Sequence, residues 1–153
     1  ILGVPLFSGF LYSAVGSYIA RCWRIFHFSF RGMPPLWQMV LLSVLIYLNF
    51  FTHHFVPDIR LFLFALIFFL FFKTVISFTI EKKARYMPLI LGFGLVSFFL
   101  WIAENIGTFA KVWIYPSQKE MWQIVSFAKW GSWFLLMILS FVMIFALHVR
   151  LKK

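Results

Sequence analysis

Apolar residues along this chain come in long unbroken runs rather than in alternation, and short basic or turn-forming clusters separate the runs. Alternation would point to strands with one wet face, whereas continuous runs of this length point to helices in apolar surroundings. A bilayer core of about 30 Å is crossed by roughly 20 apolar residues in a helix. On that measure five spans are predicted, at about 1–20, 36–52, 61–80, 88–110 and 122–148. "RCWR" stops the first, Pro34 and Pro35 precede the second, and the fourth passes Glu104 before ending between Gly107 and Ile114. A backbone exposed to lipid must satisfy its own hydrogen bonds, which favours helices. The expected fold is all-α: a polytopic transmembrane helical bundle in a single domain over 1–153.

The runs differ around their circumference. The first carries Gly9, Ser13 and Ser17 at intervals of four, a spacing that lets another helix approach closely. In the third, ten of the twelve residues 61–72 are Leu or Phe, a surface suited to lipid, with Lys73 able to snorkel at its end. The fourth has Gly94, Ser97, Trp101, Glu104 and Thr108 in steps of three and four, which places them on one stripe. The fifth repeats the pattern with Ser126, Lys129, Trp133 and Ser140. Two polar stripes on consecutive antiparallel helices are expected to face each other.

Composition agrees with lipid as the solvent. The chain is 63% hydrophobic and 12% charged, against about 25% charged in soluble domains. The net charge of +10 comes from short basic clusters between apolar runs, which favours membrane flanks over nucleic acid as the partner. Nine bases (Arg21, Arg24, Arg31, Lys82, Lys83, Arg85, Arg150, Lys152 and Lys153) flank one side of the expected spans, and four (Arg60, Lys111, Lys119 and Lys129) flank the other. The positive-inside rule then makes the C-terminus cytoplasmic, with the first residue outside. "IFHFSFRG", between the first two runs, is expected to lie along the inner interface. Cys22 is alone, so there is no intrachain disulfide framework, and no zinc-type spacing occurs. The opening "ILGVPLFSGF" reads as a natural chain entered partway, with further helices before Ile1.

Candidate chemistry centres on Glu104, with Asn105 beside it. A charge near mid-membrane costs about 2.5–3.5 kcal/mol on insertion scales. Pairing with Lys129, or taking up a proton, would relieve that cost. In "NFFTHHF", Asn49 and His53 share a helical face, and His53 could transfer protons near neutral pH. Adjacent His53 and His54 cannot both line one helical site, so no metal is assigned. Asp58 and Arg60 read as a neutralised turn, and Trp113, Tyr115 and Trp122 as an interfacial aromatic belt. No cofactor can be read from the sequence.

The strings "FSGFLYSAVGSYIARCWR", "NFFTHHFVPDIR" and "AENIGTFAKVWIYPSQKEMWQIVSFAKWGSWFLLMILSFV" resemble the YoaT-like bacterial membrane proteins, domain-of-unknown-function family 817. The resemblance spans essentially the whole chain. It implies a multi-pass bacterial inner-membrane protein and no assigned activity. One segment, Glu104 followed by "GTFAKVWIYP", is also similar to membrane carotenoid cyclases and hydratases, in which a buried acid protonates a polyene. The matching positions are Glu104, Trp113, Tyr115 and Pro116, and the paired acids of those cyclases are missing.

Three functions compete. As an enzyme, Glu104 would be a general acid on a lipid-soluble, isoprenoid-like substrate. Asn105, His53 and Tyr115 would assist, with Trp101, Trp113, Lys129 and Trp133 lining the site. As a transporter component, Glu104, Lys129 and His53 would relay protons or a small solute. As a structural membrane subunit, Glu104 and Lys129 would join two helices.

Overall fold

In the computed structural model the described residues are 8–52, 55, 57–80 and 83–151. Five helices and three strands follow in the order α1 (Ser8–Ile25), β1 (Ser29–Arg31), α2 (Leu36–Thr52), α3 (Arg60–Phe71), β2 (Val75–Ile80), β3 (Lys83–Pro88), α4 (Leu89–Phe109) and α5 (Ala128–Leu151). The protein is mostly helical, with a small antiparallel sheet in the order β1-β2-β3.

Helix α5 is central and packs against α1, α2 and α4. Each of the first three helices buries one apolar stripe at helical spacing: Val15 and Ile19 on α1, Met39, Leu42 and Ile46 on α2, Leu63, Ile67 and Phe71 on α3. From α5 come Leu135, Ile138, Phe141 and Val142. Phe93 of α4 packs edge-on against both Phe71 and Phe141, so the ring stack ties three helices together.

The third expected span is corrected. Helix α3 stops at Phe71, and residues 75–80 are strand β2 rather than membrane helix. The sequence turns β-branched at that point, with Thr74, Val75 and Ile76 in succession, and such side chains fit a pleated sheet. β1 and β3 occupy both edges of β2, giving it two ladders. The segment expected to run along the interface supplies β1. Its register sets Phe30 opposite Ile76, and Phe30 packs on Phe141 and Phe145.

The span count is corrected with it. Two described helices, Leu89–Phe109 and Ala128–Arg150, are long and apolar enough to cross a membrane. The other two apolar helices, Leu36–Thr52 and Arg60–Phe71, are shorter; at 1.5 Å per residue they reach only about 26 and 18 Å. Helix α1 runs straight through Arg21 and Arg24, so "RCWR" ends the apolar stretch without ending the helix. Its contact with α5 uses Val15 and Ile19, while Ser13 and Ser17 of the small-residue stripe are exposed. Branched apolar side chains bury more area than serines do, and that decides which face turns inward.

Both ends of the bundle are tied. At one end the sheet joins α1 to α2 and α3 to α4, and Trp23 stacks on His148 of α5 at 4.5 Å. Thr74, fully buried, donates its hydroxyl to the Gly32 carbonyl at 2.8 Å. At the other end Asn49 donates to Asp58 and accepts from the Ile59 amide, both at 3.1 Å. Arg60 pairs with Asp58 at 3.3 Å and reaches the Ala128 carbonyl at the start of α5. The turn expected from Asp58 and Arg60 is thus also a brace between α3 and α5.

Candidate functional site

Glu104 sits on the last third of α4, about 8 Å along the axis from its end at Phe109. The helix closes in a Schellman arrangement. The Val112 amide bonds to the Gly107 carbonyl, the Lys111 amide bonds to Thr108, and Lys111 takes the left-handed conformation with φ 56°. That turn sends the chain back along α4 and brings Tyr115 alongside Glu104. A single 3₁₀ turn, Pro116–Gln118, follows.

The carboxylate is only 5% exposed. Its Oε1 accepts from the Tyr115 hydroxyl, and its Oε2 accepts from the Trp133 indole N–H at 2.8 Å. Three segments therefore meet at one side chain: α4, the connection after it, and α5. The direct ion pair expected between Glu104 and Lys129 does not form. Lys129, in the first turn of α5, places its ammonium 4.7 Å from the centre of the Tyr115 ring instead. The ring stands between the two charges, accepting the cation on its face and donating its hydroxyl to the acid.

The rest of the α4 stripe faces the same seam. Trp130 donates to Ser97 Oγ at 3.0 Å and to the Gly94 carbonyl at 3.3 Å. Trp101 donates to the Val125 carbonyl at 3.1 Å, and Asn105 accepts from the Val125 amide at 2.8 Å. Asn105 also donates to the Trp101 carbonyl, and Trp122 donates to Thr108. Together these bonds hold residues 122–127 against α4 as a non-helical segment. That corrects the fifth expected span, since helix α5 begins only at Ala128. Val125 is the buried residue of this strap, and the Asn105 and Trp101 side chains supply partners for both of its backbone groups.

A cleft of about 320 Å³ opens beside this cluster, lined by Tyr115, Ser117, Gln118, Val125, Ser126 and Lys129 among others. Of the residues singled out from sequence, Tyr115 and Lys129 line it; Glu104 and Trp133 stand behind Tyr115. Trp101 and Asn105 shape the strap. Trp113 lies with its indole against Gly107, so close that any side chain there would fall inside the ring. His53 lies outside the described residues, as does His54. Among the described residues, no three His, Cys, Asp or Glu side chains come together to hold a metal ion.

Sequence reasoning missed Gln118, which is buried. Its Oε1 accepts from the Tyr115 amide at 3.1 Å, and its Nε2 donates to the Gln123 carbonyl at 2.6 Å. The signal was readable: a glutamine three residues after the first residue of "YPSQ", with proline between, has capping-box spacing. Trp130 was missed as well, though it is one α-helical turn before Phe134 and shares the seam with Ser97.

These observations define a helical bundle with two helices of membrane-crossing length and a polar cluster where the two are joined. The chain belongs to the protein family of unknown function DUF817, whose family model matches residues 1–141. It is 44% identical over 147 residues to the uncharacterized protein YoaT of Bacillus subtilis strain 168, covering 96% of this chain and 56% of that protein. The chain thus spans little more than half the length of the curated relative it matches. No solved structure matches it.

Proposed function

We propose that this chain is part of a multi-pass bacterial inner-membrane protein that binds a lipid-soluble molecule, isoprenoid-like with an oxygen-bearing end, in the cleft beside Tyr115 and Lys129. The observation that carries the reading is Glu104: a buried carboxylate whose two oxygens fix Tyr115 and Trp133 next to that cleft. In this role Glu104 is a positioning residue. It orients the Tyr115 hydroxyl, while the Lys129 ammonium supplies the charge that a polar end group would meet. The membrane setting is supported by the two long apolar helices, of which only 22% and 33% of residues in the apolar windows are buried within the fold. A soluble core helix would be mostly buried.

The test is to purify wild type, Tyr115→Phe and Lys129→Gln proteins in mild detergent and analyse the co-purifying lipids. Wild type is expected to retain an apolar species that both variants lose. Identical lipid profiles in all three, with unchanged melting temperatures, would overturn the binding site.

The orientation follows from charge. Among the described residues, seven bases and no acid lie at the sheet end, while four bases and three acids lie at the Glu104 end. The sheet and the C-terminus are expected on the cytoplasmic side. A C-terminal reporter that is active only outside the membrane should stay silent; activity there would reverse the assignment.

A structural reading has its own observation: both oxygens of Glu104 are already bonded within the fold. It predicts that replacements at Glu104 act on stability alone and leave retained lipid in proportion to folded protein.

A further inference from the structure

We propose that the groove beside the end of α3 binds one anionic phospholipid, with its phosphate at Lys73 and Arg31 and an acyl chain along Phe68, Phe69 and Phe72. The inference rests on the membrane setting proposed above and is independent of the Glu104 cleft, which lies at the other end of the bundle.

The groove holds about 680 Å³, and its lining includes Gly32, Ala65, Phe68, Phe69, Phe72 and Lys73. Its wall is apolar over roughly 10 Å of helix axis, from Ala65 to Phe72. Phe69 is 81% exposed there, so no other part of the described chain covers it. The cation stands at one end of that wall. Lys73 lies two residues beyond the end of α3, where the apolar surface gives way to the sheet.

The backbone brings a second basic residue, Arg31, close to Lys73 at the edge of the groove's lining. Gly32, at φ 69°, sits against the Lys73 carbonyl, and Thr74 bonds to the Gly32 carbonyl. Arg31, the residue before Gly32, is paired with Val75, two residues after Lys73. Both Arg31 and Lys73 are exposed, and among the described residues no Asp or Glu lines the groove. An ammonium and a guanidinium presented together recognise a phosphate diester, the guanidinium by paired N–H bonds and the ammonium as a point charge. Rings at the chain level and cations at the headgroup level match the two halves of one phospholipid. A free phosphate would use only the cations and none of the apolar wall.

The test uses the full chain purified in detergent and titrated with phosphatidylglycerol or phosphatidylcholine of the same acyl chains, followed by native mass spectrometry and thermal shift. Wild type is expected to retain phosphatidylglycerol preferentially and to be stabilised by it. The Arg31→Gln/Lys73→Gln double variant should lose that preference by about 30-fold, since each base near an anionic surface contributes about a factor of five. Ala65→Trp fills the groove without changing charge and should weaken both lipids. Glycerol phosphate, which has the headgroup chemistry without the chain, should give no shift. Equal binding of the two lipids by wild type, or an unchanged preference in the double variant with its lipid-free melting temperature intact, would overturn the site. Cell fractionation tests the membrane setting separately, so a failure there is distinguishable from a failure of the groove.

Discussion

Gly32→Ala is expected to lower the melting temperature of the purified protein by about 4–20 °C. Two costs add at this position. The residue holds φ 69°, and a side chain in the left-handed region costs roughly 1–2 kcal/mol. A Cβ would also come within 2.6 Å of the Lys73 carbonyl oxygen, and overpacking of that kind costs about 1–3 kcal/mol. The usual relief, a small backbone shift, is blocked on both sides. The Gly32 carbonyl is bonded to Thr74, Arg31 is already in the ladder with Val75, and the Leu89 amide holds the Thr74 carbonyl at 2.9 Å. For a chain of this size each kcal/mol shifts the midpoint by about 2–4 °C, which gives the stated range. Gly94→Ala is the control, because a Cβ there meets nothing within 4 Å and the residue is helical. It should be neutral or slightly stabilising. A Gly32→Ala midpoint within a degree of wild type would show that the β1–α2 turn is not held as described.

Glu104→Ala should cost about 2–5 kcal/mol, and Glu104→Gln should recover most of it. Alanine removes the acceptor that the Tyr115 hydroxyl and the Trp133 indole N–H now share, and each loses a charge-assisted bond worth roughly 1.5–3 kcal/mol, offset in part by water at these half-buried positions. It also loosens the one side chain that joins α4, the connection and α5. Glutamine can rebuild both bonds. Its carbonyl oxygen accepts from Trp133, and its amide donates to the Tyr115 oxygen, which accepts as readily as it donates. Thermal unfolding gives the stability, and the near-ultraviolet circular dichroism of the tryptophans reports whether Trp133 keeps its environment. If glutamine damages the protein as much as alanine, the negative charge itself is required and the neutral-donor network is not the explanation. If alanine is harmless, the network does not hold the seam.

The same residues show how much was readable in advance. The stripe of Ser97, Glu104 and Thr108 on α4 could be placed inward from spacing alone, because polar groups on an apolar helix have one tolerable direction. Their partners could not be read. Pairing with Lys129 was one of two ways to relieve Glu104, the other being protonation, yet it bonds to Tyr115 and Trp133. The reason is the left-handed closure at Lys111, which folds the connection back on α4 and inserts a phenol between the charges. Nothing in a helical repeat announces such a return. Likewise the apolar run after Arg60 is long enough for one membrane helix; the β-branched residues from Thr74 only permit a strand, and its formation depends on β1 and β3 arriving on either side.

What the chain's composition and periodicity determine alone is the solvent the helices suit, the positions of α2 and α4, and the inward side of the polar stripe. These follow from local rules, since a long apolar stretch satisfies its own backbone most readily as a helix and a polar side chain within it has one acceptable direction. Only the tertiary structure decided which apolar run would become a strand, where α5 begins, and which side chains satisfy Glu104. Those outcomes depend on hydrogen-bond partners far apart in sequence. A donor brought near by a turn wins over one that is merely complementary in charge.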